Sequence, residues 1–361
     1  MVSLSSCSVY FDFQILFAQR YGGISRYFRE LIPELKNLGV QCDISCFHNH
    51  NYYFADDFGI HESQNKFMKL AEFCINRFMA HHDTRKGHYD IIHPTYYYMS
   101  YRTGAKVVLD IHDMIPEIYH TNERLIAAKN KTLHEADKII SVSEHTKRDL
   151  LNIYPDIEPE KICVIYRGAS MTHRKNMPGK LAFMNDKDYV LFVGNRASYK
   201  NFAKFFEAMK TVMNVHRDLC VLCTGGGEFT RDELDMIHGC ESRIIQANLS
   251  DDELVSAYSH ALCFVFPSLY EGFGLPLLEA FACECPVICS NSSSLPEVAD
   301  YAAEYFDGNN HDDIADKIMR VIESDALRDD LRRRGRERLK FFDWKKSAQQ
   351  TLECYREAMN S

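Results

Sequence analysis

The feature that most constrains this chain is a repeated alternation of short apolar runs with longer amphipathic stretches. Runs of strand length separated by helical stretches predict βαβ units and therefore parallel sheets with helices on their faces. Phe202, Phe205, Phe206, Met209 and Met213 show the helical period between two such runs. The runs lie near residues 9–13 and at 91–92, 106–110, 138–142, 161–165, 189–194, 219–223, 262–266 and 286–289.

The length of the chain, 361 residues, favours two domains at roughly 100–200 residues each. The stretch 167–187 contains Gly168, Pro178 and Gly179 and has little periodicity, so we interpret it as a linker. We therefore predict an N-terminal domain over 1–170 and a C-terminal domain over 180–344. A closing helix should follow at about 345–361. Ser294 and Glu297 have the spacing of a capping box at a helix start.

Charge and hydropathy exclude two broad classes of protein. The formal net charge of −9 argues against a general nucleic-acid-binding protein, because such proteins carry a basic excess. No stretch approaches the roughly 20 apolar residues that a membrane-spanning helix needs. The 13 cysteines and the absence of a signal-peptide pattern predict reduced thiols in the cytoplasm. Cys220 and Cys223 are interpreted as buried strand residues rather than metal ligands.

The loop after the run 262–266 carries the strongest functional signal. Gly272 and Gly274 allow a ligand to approach the backbone closely, and Pro276 is favoured in the first turn of a helix. The unpaired N–H groups of that helix start would attract an anion such as a phosphate. Glu271 in the loop and Glu279 one turn into the helix could hold hydroxyl groups at two ends of one ligand.

Three further loops after predicted strands carry residues suited to a phosphorylated sugar. Arg196 and Lys200 follow the run 189–194, and two cations can neutralise a diphosphate. Gly22 and Gly23 open an amphipathic helix but do not form a dinucleotide-binding fingerprint. His112 follows the run 106–110, and a neutral histidine can donate a hydrogen bond to a sugar hydroxyl.

The segment from Glu271 to Glu279 resembles the E-x7-E signature of retaining GT-B glycosyltransferases of family 4. The resemblance extends over nearly the whole chain and implies two Rossmann-like parallel-sheet domains that face each other across a cleft. A C-terminal helix would close back toward the N-terminal domain. The resemblance implies that Glu279 binds the ribose, that Glu271 and His112 contact the sugar, and that Arg196 and Lys200 bind the pyrophosphate. It also implies backbone contacts to the sugar and phosphate by Gly272, Phe273, Gly274 and Leu275. Gly22 and Gly23 would form a loop at the donor phosphates, and the region around Leu249 would bind the base.

The resemblance also implies a hexosyltransferase reaction without a metal or another cofactor. A sugar would pass from a nucleotide diphosphate sugar to a hydroxyl group of a glycan or lipid-linked saccharide in polysaccharide or O-antigen synthesis, with retention of configuration. The similarity to mannosyltransferases makes GDP-mannose the first choice of donor and a UDP-sugar the second. Asp186 and Asp188 have D-x-D spacing but precede a predicted strand, so we interpret them as surface residues rather than metal ligands.

Several alternatives stay open at the level of the sequence. A sugar-nucleotide epimerase or a phosphorylase on the same scaffold would keep the fold, and an inactive sensor or scaffold would keep the binding site. A nicotinamide-dependent dehydrogenase lacks its glycine fingerprint. The sequence does not decide whether Asp113 and Arg26 act in the site. Oligomeric state and peripheral contact with the inner membrane also stay open.

Overall fold

The computed structural model describes residues 7–63, 65–98, 104–169, 179–184 and 187–361. The chain divides into two compact units. The first consists of Met1–Gly168 together with Asp343–Ser361, and the second consists of Ala169–Phe342. The sequence predicted domains over 1–170 and 180–344, so the predicted ends at 170 and 344 lie within two residues of the observed ends. Much of the predicted linker, and Asp186 with it, lies outside the described residues.

The first unit is built on a six-stranded sheet in which every pairing is parallel. The strand order is β2-β1-β3-β4-β5-β6. The strands are β1 (Ser8–Phe11), β2 (Gln41–Ile44), β3 (Ile91–His93), β4 (Lys106–Ile111), β5 (Lys138–Ser141) and β6 (Ile162–Val164). The helices are α1 (Gln14–Ala18), α2 (Gly23–Asn37), α3 (Ala55–Phe58), α4 (Lys66–Lys86), α5 (Ile115–Tyr119), α6 (Glu123–Glu135) and α7 (Glu144–Ile153).

The second unit contains another six-stranded sheet, again with parallel pairings throughout. Its strand order is β12-β11-β10-β7-β8-β9. The strands are β7 (Tyr189–Val193), β8 (Cys220–Thr224), β9 (Ile244–Ala247), β10 (Cys263–Phe266), β11 (Val287–Ser290) and β12 (Glu304–Phe306). The helices are α8 (Phe202–Val215), α9 (Arg231–Ile237), α10 (Asp251–His260), α11 (Leu275–Ala282), α12 (Leu295–Ala299), α13 (His311–Ile322) and α14 (Asp325–Leu339).

The predicted α/β class with parallel sheets is confirmed. The inner strands β10 and β11 are buried over their whole length, as is typical of parallel sheets, whereas the edge strand β2 exposes Gln41 and Asp43. Cys220 and Cys223 lie in the buried strand β8, as expected. Burial raises the pKa of Cys220, and it raises that of Cys223 to about 12, which disfavours thiolate chemistry there. The apolar stripe that begins at Phe202 forms the buried face of α8.

The last helix, α15 (Trp344–Asn360), belongs to the first unit and packs against α2, β4 and β5. The side chain of Asp343 caps its start by accepting a hydrogen bond from the backbone of Lys345. Within the core, the Tyr355 hydroxyl lies 2.6 Å from His93 Nδ1, and His93 Nε2 lies 2.9 Å from Asp110 Oδ2. This buried polar chain fixes α15 against two strands of the sheet.

Each sheet has one topological switch point. At this point the connections from two neighbouring strands lead to opposite edges of the sheet. In the first sheet the switch point lies between β1 and β3, and in the second it lies between β7 and β10. Open α/β sheets bind ligands beyond the carboxyl ends of their strands at such points. The loops that carry Arg196, Lys200 and Glu271 follow β7 and β10 and therefore meet there. None of the helices among the described residues is both long and apolar enough to cross a membrane.

A glycine-to-alanine pair tests the packing of α15. A Cβ atom at Gly168 would lie 2.5 Å from the backbone nitrogen of Trp344, whereas one at Gly104 would meet nothing within 4 Å. We expect Gly168→Ala to lower the free energy of unfolding by about 1–3 kcal/mol through overpacking. Gly104→Ala should leave it nearly unchanged. Urea unfolding followed by circular dichroism measures both, and equal stability of the two variants would contradict the packing described here.

Candidate functional site

The loop between β10 and α11 turns sharply into the helix. Gly274 precedes α11 with a φ of +102°, a region that favours glycine. A Cβ atom there would lie 3.0 Å from the Leu295 side chain, so a larger residue would also have to displace that side chain. Pro276 sits in the first turn of α11, as the sequence predicted. Gly272 and Phe273 are buried in this loop, and Leu275 is the first residue of the helix.

Two serines from the loop before α12 hold this turn in place. The backbone N–H of Glu271 donates to Ser293 Oγ at 2.9 Å. The Ser294 hydroxyl lies 2.9 Å from the carbonyl oxygen of Glu271 and 3.1 Å from that of Phe273. The predicted capping box at Ser294 is therefore wrong, since this side chain makes no cap hydrogen bond to α12. Its hydroxyl instead satisfies carbonyl groups of the neighbouring loop.

Lys200 and Glu271 form an ion pair at the switch point. The Lys200 Nζ to Glu271 Oε1 distance is 2.6 Å, and the side chains are 14% and 12% exposed. A backbone hydrogen bond of 2.8 Å from Leu269 N to Tyr199 O joins the same two loops. The structure thus brings together two of the residues that the sequence assigned to donor binding. An ammonium group has three donors, so Lys200 can be shared between Glu271 and a phosphate oxygen.

Arg196 makes a different set of contacts from those expected of a phosphate ligand alone. Its Nε lies 2.7 Å from Glu233 Oε1 at the start of α9. Its two terminal nitrogens donate to the carbonyl oxygens of Gly225, Gly227 and Glu228 at 2.8 to 3.0 Å. Only 3% of the side chain is exposed. Arg196 therefore holds the glycine turn after β8, and its role as a diphosphate ligand stays a prediction.

The glycine turn itself depends on a left-handed backbone. Gly225, Gly226 and Gly227 all have φ between +74° and +85°. A Cβ atom on Gly226 would lie 3.0 Å from the Cα of Asn195, so the turn packs directly on the backbone of the loop after β7. This contact holds the backbone of the glycine turn and of the Arg196 loop in one arrangement. A ligand at the switch point would therefore bind next to two loops that support each other.

Glu279 and Leu249 occupy other parts of the second unit. Tyr258 on α10 is buried, and its hydroxyl lies 3.3 Å from Glu279 Oε2. Burial first, and then the nearby Glu279, raises the Tyr258 pKa well above its usual value, so this hydroxyl stays protonated and donates. The half-buried Leu249 lies between β9 and α10, one residue before the Ser250 cap. The contact of Glu279 with α10 orients its carboxylate, while ribose binding stays a prediction.

In the first unit, His112 is held in one tautomer by Arg167. The Arg167 guanidinium contacts His112 Nδ1, and a guanidinium can only donate. The proton of a neutral His112 must then be on Nε2, which is buried and has no hydrogen-bond partner among the described residues. Burial, and then the charge of Arg167, lowers the His112 pKa well below its usual value. His112 is thus a neutral donor, while its contact with a sugar stays a prediction.

The remaining predicted positions in the first unit lie at helix starts. Gly22 is in extended conformation and precedes Gly23, the first residue of α2. Arg26, one turn into α2, stacks on the Tyr53 ring at 5.1 Å and reaches the Tyr53 hydroxyl at 2.9 Å. Asp113 accepts a hydrogen bond from Ile115 N at the start of α5. These contacts place the residues but do not assign them a ligand.

Sequence reasoning missed the residues that orient the site. Ser293 and Arg167 bear no motif, and Ser294 was assigned only to a helix cap. Each acts on a backbone or side-chain group far away in the sequence. The only sequence feature at Ser293 is that it lies in a run of three serines after β11, which does not indicate a partner. Such partners become visible only when the fold places two loops side by side.

Comparison with known proteins gives a consistent result over both units. The model described as Glycosyltransferase Family 4 matches residues 21–172, and that described as Glycosyl transferases group 1 matches 173–338. The O-antigen chain mannosyltransferase B of Escherichia coli is 26% identical, over 92% of this chain and 96% of its own length.

Solved structures resemble the fold of the chain. Sucrose-phosphate synthase from Thermosynechococcus elongatus aligns with a TM-score of 0.73 at 21% identity and covers 98% of both chains. HepE of Anabaena, crystallised with UDP-glucose, aligns with a TM-score of 0.74 at 15% identity, over 97% of this chain and 99% of its own. The arrangement of helices and sheets in the two units is thus that of GT-B proteins.

The neutral state of His112 predicts a pH dependence of stability. The unfolded chain takes up a proton at His112 near pH 6.5, whereas the folded chain resists protonation. The stability from this residue is complete above pH 6.5 and is lost as the pH falls toward the lowered folded pKa. Between pH 6.5 and 5, the wild-type free energy of unfolding should fall more steeply than that of His112→Gln, by up to about 1.4 kcal/mol per pH unit.

Urea unfolding at several pH values measures this difference. Glutamine at position 112 can still accept from Arg167, so the arginine keeps a partner. His88→Gln, at an exposed histidine of the same unit, is the matched control and should follow the wild-type slope. Parallel slopes for the wild type and His112→Gln would contradict a buried neutral His112.

Proposed function

Since the chain belongs to the group 1, family 4 glycosyltransferases, we propose that it transfers a hexose from a nucleotide diphosphate sugar to a glycan or lipid-linked saccharide, with retention of configuration. The observation that supports this most is the Lys200–Glu271 pair at the switch point of the second sheet. It sits beside the start of α11, and the start of a helix favours an anion through the helix dipole. Glu279 lies one turn farther along the same helix.

In the proposed reaction the chain stabilises the departing nucleoside diphosphate. Negative charge develops on the oxygen of the β-phosphate as its bond to the anomeric carbon breaks. Lys200 and the positive end of the α11 dipole would stabilise that charge, and groups held in place before the reaction supply much of the electrostatic stabilisation in enzymes. The Ser293 and Ser294 contacts to the Glu271 loop support this by holding the loop in one conformation.

Glu271 and Glu279 have separate roles in this proposal. Glu271 contacts hydroxyl groups of the donor sugar, and its charge is balanced by Lys200 so that it can stay buried. Glu279 accepts hydrogen bonds from the ribose hydroxyls, with Tyr258 donating to the same carboxylate. In the first unit, the Nε2–H of His112 donates to a hydroxyl group of a bound sugar.

The proposed donor is GDP-mannose, with a UDP-sugar as the second choice. The relative from Escherichia coli is named an O-antigen chain mannosyltransferase, and it spans nearly the same length as this chain. HepE, which shares the fold, was crystallised with UDP-glucose. The acceptor proposed on the same grounds is a growing polysaccharide or O-antigen chain. No metal or other cofactor is proposed for the transfer itself.

Donor and reaction can be tested together. A thermal-shift screen of GDP-, UDP-, ADP- and dTDP-sugars identifies the base, and transfer of a labelled sugar from the best donor to saccharide acceptors then tests the reaction. NMR of the new linkage reports the anomeric configuration. Conversion of the donor sugar without an acceptor would favour an epimerase. Donor binding with neither transfer nor hydrolysis would favour the inactive sensor.

Glu279→Gln tests the ribose assignment. Replacing a carboxylate acceptor with an amide should weaken binding of the nucleoside diphosphate by about 10- to 100-fold, because hydrogen bonds to charged groups contribute about 1.5–3 kcal/mol. Isothermal calorimetry measures the dissociation constant. The 2′,3′-dideoxy nucleoside diphosphate is the matched ligand, and the variant should not discriminate against it. If Glu279→Gln bound both ligands as the wild type does, the assignment would be wrong.

Lys200→Met tests the charge at the switch point. Loss of this cation should lower kcat by about 100- to 1,000-fold, as loss of one group that stabilises transition-state charge does elsewhere. Lys204→Met is the matched control, because Lys204 forms an exposed ion pair with Glu207 within α8. Thermal unfolding shows whether Lys200→Met remains folded. Wild-type turnover by a folded Lys200→Met variant would remove Lys200 from the reaction.

A further inference from the structure

A cluster of metal-ligand residues lies in the first unit, in segments that the proposed reaction does not use. It consists of His48, which follows β2, His61, which precedes α4, and Glu72 on α4. One ligand atom of each residue lies within 4.8 Å of the others. Among the described residues this is the group whose spacing allows one ion to be held by three side chains.

The distances suit a small divalent ion. With metal–ligand distances near 2.0–2.2 Å, two ligands of a tetrahedral zinc ion are about 3.3 Å apart. His61 Nε2 lies 2.9 Å from Glu72 Oε1, so this pair needs only a small movement to admit an ion. The Glu72 side chain is 5% exposed, whereas the His61 side chain is 42% exposed. The ion would therefore enter from the side of His61.

The backbone around His48 is fixed independently of any ion. Asn76 on α4 is buried, and its Oδ1 accepts from the backbone of Phe47 and His48 at 2.7 and 2.9 Å. Its Nδ2 donates to the His48 carbonyl oxygen at 3.0 Å. The backbone N–H of His61 donates to the carbonyl oxygen of Asn49 at 2.7 Å. Two ligands are thus placed by contacts to each other's segments and to the helix that carries the third.

Burial and hydrogen bonds shift the pKa of three groups in and around the cluster. Burial raises the pKa of Glu72, but hydrogen bonds from Ser63 and His61 outweigh it and lower the pKa overall. Burial, followed by the neighbouring His61, lowers the pKa of His48. His50 Nε2, 3.3 Å from Glu72 Oε2, has a pKa lowered chiefly by burial. Metal binding requires a deprotonated carboxylate and neutral imidazole, and the proposal itself rests on the geometry of the three side chains.

We propose that His48, His61 and Glu72 bind one divalent transition-metal ion, with Zn²⁺ as the best match to two imidazoles and a carboxylate. Ser63 and His50 contact the carboxylate from outside the ligand set, as partners of metal ligands commonly do. The ion would join the segment after β2, the segment before α4 and α4 itself. This proposal does not depend on the proposed transfer reaction.

The first experiment measures zinc bound to the full chain. The protein is stripped with a chelator, loaded with Zn²⁺ at pH 7.5 and separated from free metal by gel filtration. Mass spectrometry should then find one zinc per chain, with a higher thermal midpoint than the stripped protein. At pH 5, protonation of the imidazoles should release the ion. A chain that retains no zinc, or gains none of this stability, overturns the proposal.

The second experiment assigns the ligands. Loss of a residue that only hydrogen-bonds to a metal ligand typically weakens metal binding by about 10- to 100-fold. Loss of a ligand itself should cost more, so we expect His61→Gln and Glu72→Gln each to weaken zinc binding by more than this factor. His61 is partly exposed, so its variant should fold even if Glu72→Gln is destabilised. His238→Gln is the matched control, since His238 pairs with Glu241 at an exposed position. Wild-type affinity in both ligand variants would overturn the assignment.

A third measurement excludes cysteine as the source of binding. Cys46 and Cys74 lie on the same segments as the cluster, and thiolates bind zinc well. In the Co²⁺-loaded protein, thiolate ligands produce strong near-ultraviolet charge-transfer bands, whereas imidazole and carboxylate ligands produce only the weaker visible bands. The proposal predicts the second spectrum, and it should disappear in His61→Gln. A thiolate spectrum would overturn it.

Discussion

The contact between the loops after β7 and β10 is the constraint on which the candidate donor site depends. The two strands are neighbours in the second sheet although two other strands separate them in the chain. Their carboxyl ends therefore place Lys200 and Glu271 within 2.6 Å of each other. A buried ion pair contributes little net stability, because desolvation offsets its attraction. Its effect is to fix where a positive and a negative group stand when a ligand arrives.

The neighbouring loops are held by groups that act on carbonyl oxygens. Ser294 donates to the loop before α11, and Arg196 donates to the glycine turn after β8. Turns of this kind leave backbone oxygens without partners in a helix or strand, and burial of an unpaired oxygen is costly. Side chains from adjacent loops remove that cost and make the loops rigid. The same logic, with asparagine in place of serine and arginine, holds the segment around His48.

Local patterns predicted the architecture well because they act over short ranges. The stripe beginning at Phe202 gives α8, and Gly274 with Pro276 gives the start of α11. The contacts that orient the site were not predictable in this way. Ser294 was expected to cap its own helix, but two carbonyl groups near Glu271 compete for its hydroxyl more effectively. His48, His61 and Glu72 have no recognisable spacing, since only the fold brings their segments together.

The position of α15 in the first unit has a consequence for synthesis of the chain. The second unit is a continuous segment, Ala169–Phe342, and contains all of its own core. The first unit is discontinuous, since Tyr355 and its neighbours complete a core that begins with β1. Domains fold as units while the ribosome still holds the chain. The second unit can therefore be complete while the first, although most of it is translated earlier, still exposes the apolar groove that α15, translated after the second unit, fills.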